Sequence, residues 1–319
     1  MSKSGISIVI RCYNEEKHIG KLLTGILAQS IREAEIILVD SGSTDATLSI
    51  AGQFPVKIVQ IEPQQFTFGR SLNLGCQAAG GDLIVIASAH VYPVYADWLK
   101  ALVAPFSNPQ VALTYGKQRG DQNTQFSEGQ IFIHWFPEYA QEFQAYPFCN
   151  NANAAIRRSL WEKIPYDETL SGLEDLDWAR RVAAAGYKIA YVPEAEIIHV
   201  HDETRRGTLN RYRREAMAFR AIYPHERFHF VDFVYLSASN ILHDLWRAYR
   251  QKVLLRHFTG IFGFRLAQFW GTYQGYRRSG PLNWQLRQTF YYPRGIGTPA
   301  PKQPREAELV RYGSQSPDE

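Results

Sequence analysis

Short apolar runs alternate with amphipathic stripes through the opening part of the chain, and this alternation restricts its fold more than any other feature. Ile6-Ser7-Ile8-Val9-Ile10 has the length of a strand. Ile19, Leu22, Leu23, Ile26 and Leu27 then recur at three- and four-residue steps, which puts them on one helical stripe that must be buried against a sheet. Asn14 is placed to cap a helix opening with Glu15 and Glu16. A second strand, Glu35 to Asp40, meets the turn Ser41-Gly42-Ser43-Thr44-Asp45, which can cap a helix from Ala46 to Gln53. Val56 to Ile61, a loop, Leu72 to Ala79 and the apolar Leu83 to Ala87 continue the pattern. The expected class is α/β, with a mainly parallel, doubly wound, Rossmann-like sheet sandwiched by helices.

In such sheets ligands bind at the carboxyl ends of the strands, where strand order reverses. Cys12 to Glu15, Asp40 to Asp45 and Ser88 to His90 occupy those ends. Further along, Val111 to Gly116 reads as a strand, and the aperiodic polar and aromatic segment up to Pro147 reads as loops and short helices. Ser171 followed by Glu174 has the form of a capping box opening a helix that Gly186 ends, and Lys188 to Val192 follows as a strand. Beyond Arg205 the sequence turns to long helical patterns rich in Arg, Tyr, Phe and Trp. The expected division is a catalytic domain over 1–204, a basic, aromatic helical region over 205–298 and a disordered tail over 299–319.

With 45% hydrophobic residues and 21% charged, the chain is of globular type, and its net charge of +4 is too mild to imply nucleic acid. Arg205, Arg206, Arg211, Arg213, Arg214 and Arg220 crowd one region without a recognisable reading motif, so no nucleic-acid partner is expected. Cys12, Cys76 and Cys149 are odd in number and have no metal-binding spacing, which points to a reducing compartment. The polar start shows no secretory signal, and no apolar run is long enough to span a bilayer. A cytoplasmic location, with the possibility of peripheral contact with the membrane, is the expectation.

Taken in order, Ile8-Val9-Ile10-Arg11-Cys12-Tyr13-Asn14-Glu15, Val39-Asp40-Ser41-Gly42-Ser43-Thr44-Asp45 and Glu174-Asp175 resemble glycosyltransferase family 2, the nucleotide-sugar-dependent inverting enzymes of the GT-A fold. The resemblance covers residues 5 to 201. Phe66 to Asn73, Pro193-Glu194-Ala195 and His199-Val200-His201 are similar to the bacterial rhamnosyltransferase-like branch. It implies a nucleotide-sugar donor held by Cys12, Tyr13, Glu15, Asp40, Arg70, Asn73, Ser88, Ala89, His90 and Asn151. Asp40 would accept hydrogen bonds from base or ribose and Tyr13 would offer a stacking face. Asp40 and Asp45 also suit an Asx-type turn and a helix cap, and Asn150, Asn151 and Asn153 also suit turns.

The family's usual Asp-x-Asp, which holds a divalent cation, is here Ser88-Ala89-His90. Without those carboxylates Mg²⁺ is disfavoured relative to Mn²⁺, which tolerates imidazole. His199 and His201 match the region where the family has a metal-binding His and could join His90, or Arg70, Arg205 and Arg206 could neutralise the diphosphate directly.

Inversion requires one base at the acceptor hydroxyl. The resemblance implies Asp175 in that role, facing a cleft floored by the early strands, with Glu174 positioning the acceptor or serving the capping box. The acceptor is expected to be a saccharide or a lipid-linked one. A catalytically idle scaffold that binds nucleotide sugars is the alternative. Leu254, Phe258, Ile261, Phe262, Leu266, Phe269 and Tyr273 follow helical spacing beside Lys252, Arg256 and Arg265. That stripe suits packing on the catalytic domain, a homodimer contact or an anionic membrane surface, while Gly260, Gly263, Gly271 and Gly275 weaken the helix.

Overall fold

The computed structural model describes residues 5–144, 146–278 and Tyr291. The chain opens β1 (Ile6–Cys12), α1 (Ile19–Leu27), β2 (Glu35–Asp40), α2 (Thr47–Ala51), β3 (Lys57–Gln60), α3 (Phe68–Ala78) and β4 (Leu83–Ser88). There follow β5 (Val91–Pro93), α4 (Trp98–Val103), β6 (Val111–Arg119), α5 (Phe126–Trp135), β7 (Asn153–Arg157), α6 (Arg158–Trp161), α7 (Glu174–Ala184) and β8 (Lys188–His199). Three long helices end the described part: α8 (Arg205–Ile222), α9 (Phe230–Arg250) and α10 (Leu254–Arg277).

The strands form one eight-stranded sheet in the order β3-β2-β1-β4-β7-β6-β8-β5. β3, β2, β1 and β4 are parallel to one another, β7 runs antiparallel to both β4 and β6, and β5 runs antiparallel to β8. The mainly parallel α/β class therefore holds, with β7 and β5 as reversed members. Each central strand buries both faces, as strands covered by helices on both sides must. Val9, Ile37, Ile84 and Ile86 enter one core with Leu72, Cys76 and Trp178, while Ile8, Ile10, Leu38 and Val85 enter the other with the α1 stripe. Ile19, Leu22 and Leu23 are wholly buried, each contributing about 1.5–3 kcal/mol through removal from water.

Several local expectations change. Asn14 does not cap α1, which begins only at Ile19. It adopts a left-handed conformation with φ of 54°, and its side-chain oxygen accepts the Thr44 N–H at 2.8 Å, tying the β1 and β2 loops together. Ser171 does not cap α7 either: its hydroxyl donates to the Arg214 carbonyl at 2.9 Å, and left-handed Leu173 occupies the cap position. The capping pattern was present, but tertiary contact with α8 engages the serine instead.

The helix around Leu72 starts earlier than expected because the Thr67 hydroxyl accepts the Arg70 N–H. β8 extends well past Val192, since its later residues pair with β5. α10 is continuous through its glycines, and Gly271 and Gly275 lie where a methyl group would meet the backbone carbonyls of Leu209 and Arg213 on α8. The glycines permit close packing of two helices. Arg265, expected as a surface charge beside the α10 stripe, is buried against Asp244 of α9 with Nε to Oδ2 at 2.7 Å. Ile261 is buried as well, so the expected stripe divides between an inner and an outer face. The expected tail over 299–319 lies outside the described residues.

Candidate active site

Strand register assembles the site. β1 sets Arg11 beside Ser88 on β4 and Cys12 beside Asp40 on β2, so the three loops expected to bind ligand leave one edge of the sheet. β7 runs the other way and pairs Asn153 with Ala87, which delivers the preceding Asn150–Ala152 turn to the same edge. β5 sets Val91 opposite His199, and the His90 carbonyl accepts the Val200 N–H at 3.1 Å. Residues distant in sequence meet there through ordinary sheet pairing.

Asp175 sits in the first turn of α7 and is partly open to solvent. Its Oδ2 accepts the Asn151 backbone N–H at 3.1 Å and its Oδ1 accepts the Leu176 N–H at 2.8 Å. Burial of its surroundings, followed by the charge of Glu174, pushes its pKa up to about 7, against the pull of those two N–H groups and of Arg11. Such a carboxylate can exchange a proton near neutral pH. Glu174 is buried and pairs with Arg11 Nη1 at 3.2 Å, which links α7 to the end of β1. Leu173, with φ of 54°, stands directly before the acidic pair, a conformation that costs a residue other than glycine.

Arg11 also lies over the Phe68 ring, 4.8 Å from its centroid, and Arg214 of α8 lies 4.7 Å from the same centroid. Nothing in the sequence marked Arg11, Phe68 and Arg214 as a group. The Asn151 side-chain amide is buried, and neither of its polar atoms finds a hydrogen-bond partner among the described residues. A buried amide in that state favours a polar ligand or water beside it.

His90, His199 and His201 each offer one ligand atom within 4.8 Å of the others. In each ring Nδ1 is held by an acceptor: Glu15 Oε1 at 2.7 Å, Gln118 Oε1 at 2.8 Å and Glu128 Oε1 at 2.7 Å, respectively. The carboxylates of Glu15 and Glu128 can only accept, so they hold a proton on Nδ1 of His90 and His201 and leave the Nε2 atoms of those rings facing His199 as ligand atoms for a cation. His199 and His201 approach Nε2 to Nε2 at 3.1 Å, close enough for both nitrogens to bond one ion at about 2.1 Å. The donor set fits a divalent transition metal ion. Glu128 is in turn paired with Arg211 of α8 and its pKa is lowered by His201 and Arg211 against the opposing effect of burial.

Other expected donor-binding residues are engaged differently. Asp40 is almost wholly buried, and its oxygens accept the Gly42 and Ser43 N–H groups and the Cys12 thiol, so it shapes the loop and presents no free edge. Burial and Asp40 together hold the Cys12 thiol well above its usual range. Asn73 is used completely inside the fold, donating to the Tyr166 carbonyl and Glu168 while accepting from the Trp161 indole and the Tyr166 N–H. Ala89 is buried. Arg70 pairs with Glu168 at 3.3 Å on the surface, and Tyr13 packs partly against the core. Asn153 binds the Ala195 and Lys117 carbonyls and the Trp98 indole, and Asn150 closes a turn onto Ala152.

Residues 7–164 match the family described as Glycosyl transferase family 2. The chain is 29% identical over 219 residues to the O-antigen chain rhamnosyltransferase RfbN of Salmonella typhimurium, covering 65% of this chain and 70% of that protein. It is 29% identical over 195 residues to the O-antigen chain rhamnosyltransferase WbaN of Salmonella anatum, covering 58% of this chain and 62% of that one. In fold it is similar to the mannosyltransferase PcManGT of Pyrobaculum calidifontis, solved with GDP-Man and Mn²⁺, with a TM-score of 0.58, 20% identity and coverage of 86% and 85% of the two chains. Sheet order, strand-end loops and sequence likeness agree: this chain is a glycosyltransferase carrying a family 2 domain on the GT-A fold.

Proposed function

We propose that the chain transfers a sugar from a nucleotide-sugar donor to an acceptor hydroxyl with inversion at the anomeric carbon, in polysaccharide or glycolipid assembly, and that it works in the cytoplasm on a saccharide or lipid-linked acceptor. The observation that carries this reading is the placement of Asp175, held by the Asn151 N–H at the sheet edge and partly open to solvent, where burial and Glu174 push its pKa up to about 7. In its ionised form it takes the proton of the acceptor hydroxyl as that oxygen attacks. Glu174, anchored by Arg11, keeps the first turn of α7 in place and raises the basicity of Asp175 by its charge.

Tyr13, Glu15, Ser88 and Asn151 are the donor-contacting residues in this reading, with Asp40 and Cys12 shaping the loop beneath them. Asn151 brings its buried amide to donor or acceptor hydroxyls. His90, His199 and His201 would hold the divalent cation, Mn²⁺ in preference to Mg²⁺, and the bound ion would neutralise negative charge on the departing nucleoside diphosphate. Residues 1–204 carry the chemistry, and α8 braces it through Arg211 and Arg214. The RfbN and WbaN likenesses support a rhamnosyl donor.

The test is transfer from a panel of nucleotide sugars, deoxythymidine-diphosphate rhamnose included, with Mn²⁺ present. Turnover that Asp175→Asn abolishes without loss of donor binding supports the reading. Donor binding without hydrolysis or transfer across the panel would instead establish the idle scaffold.

A further inference from the structure

We infer that the outer face of α9 and α10 is a docking surface for an anionic lipid bilayer, on which both helices lie in the plane of the headgroups. On α9 the residues Val231, Tyr235, Leu242, Trp246 and Tyr249 recur at helical spacing, and all are exposed, Tyr235 by 69%. On α10, Leu255 is 96% exposed, and Phe258, Phe262, Leu266 and Trp270 continue the same side of that helix. α9 packs against α10 through Ile241, Ala248 and Ile261, so the two exposed stripes belong to one helical pair. Soluble monomers rarely leave such continuous apolar faces uncovered.

Charge decides the occupant. From 229 to 278 the sequence holds two acidic residues, Asp232 and Asp244. Asp232 accepts the His229 N–H at the start of α9, and Asp244 is buried under Arg265. Around the apolar face stand Arg247, Arg250, Lys252, Arg256 and Arg277, with Arg250 over the Trp246 ring at 5.5 Å. A second copy of the same face would bring these cations against one another with only Asp232, at the far N-terminal end of α9, as a half-exposed carboxylate in reply, because a two-fold interface repeats the same patch. An anionic leaflet complements them, and Trp and Tyr residues favour the headgroup zone. Among the described residues no helix is long and apolar enough to cross a membrane, which is consistent with a surface-lying pair.

Leverage on the catalytic end follows from the packing. α10 lies on α8 through Gly271 and Gly275, and α8 carries Arg211 to Glu128 and Arg214 to Phe68. A bilayer bound at the outer face is one helix away from the candidate site.

The full chain would be floated with vesicles of phosphatidylcholine alone and with phosphatidylglycerol added, at low and high salt, alongside Trp246→Glu/Phe262→Glu and Arg250→Glu/Arg256→Glu double variants. We expect flotation with the anionic vesicles, weakened by salt, and a loss of at least about tenfold in partitioning for either variant pair. Circular dichroism and solution mass would check that the variants fold, and the substituted residues touch no part of the catalytic site. Absence of flotation with anionic vesicles overturns the inference. So does a wild-type dimer in solution that the Trp246→Glu/Phe262→Glu variant converts to a monomer, which would assign the face to self-association.

Discussion

Arg11 Nη1 lies 3.2 Å from Glu174 Oε1, joining the end of β1 to the first turn of α7 although the two residues are far apart in sequence. The pair is largely buried, with side-chain exposures of 16% and 6%. Removing one partner of a buried pair leaves an uncompensated charge, which costs about 3–5 kcal/mol. Arg11→Met is therefore expected to destabilise the fold by about 3 kcal/mol, toward the lower end because Arg11 retains some contact with water. Urea denaturation with an unchanged slope would measure it. Since Arg11 also pulls the Asp175 pKa down, the same variant should move the acid limb of the pH–rate profile to higher pH.

Asp175 itself sets that limb. Burial raises its pKa to about 7, so the carboxyl is protonated and inert as a base below that pH and becomes competent as pH rises through it. The rate should climb tenfold per pH unit below the limb and flatten above it. Asp175→Asn should reduce kcat by about 10² to 10⁴ with donor affinity nearly unchanged. Stability runs the opposite way: a carboxyl whose pKa is raised on folding favours the native state when protonated, and that contribution is fully present below the ordinary value of 3.8 and is lost as pH rises from there through about 7. Asp175→Asn is accordingly expected to melt higher than the parent above pH 7, and a thermal scan at two pH values would check this.

Glu128 is buried, and its Oε1 accepts from both His201 Nδ1 at 2.7 Å and Arg211 Nη2 at 2.6 Å. It orients an imidazole of the candidate metal site from behind. Loss of such an outer partner typically lowers metal affinity by 10- to 100-fold. Glu128→Gln should weaken Mn²⁺ binding by that factor, read by electron paramagnetic resonance titration of free Mn²⁺. An affinity that does not move would show that His201 does not ligate.

The strands and the α1 stripe were legible because each is a local periodicity that a buried sheet demands. β7 escaped notice since Asn153-Ala154-Ala155-Ile156-Arg157 has small residues where strand-forming branched ones are usual, and β5 is only Val91–Pro93. The histidine cluster was legible in part: His199 and His201 stand close in sequence, but their outer partners Glu128 and Gln118 come from elsewhere in the chain. Asp40 and Asn73 have internal partners that a sequence does not display, for the same physical reason. Polar side chains at a strand end and on a helix look free in a sequence, whereas here Asp40 satisfies its own turn and Asn73 holds the segment that carries Tyr166. The Arg265–Asp244 pair depends on the turn between α9 and α10, which brings two mid-helix charges face to face.

Glycines on α10 give a prediction with an internal control. A Cβ at Gly271 would stand 2.4 Å from the Leu209 carbonyl oxygen of α8, a backbone atom that can move only with its helix. A Cβ at Gly260 meets nothing within 4 Å. Alanine is favoured over glycine in a helix by about 1 kcal/mol, so Gly260→Ala should stabilise the chain by up to that amount. Gly271→Ala has the same propensity gain but must push α8 away, at a cost of about 1–3 kcal/mol or more for overpacking, and should be destabilising on balance. The displaced helix carries Arg211 and Arg214, so Gly271→Ala should also lower transfer activity while Gly260→Ala leaves it unchanged. Denaturation midpoints of the two variants against the parent would separate them, and equal shifts in the same direction would show that α8 and α10 are not in the close contact described.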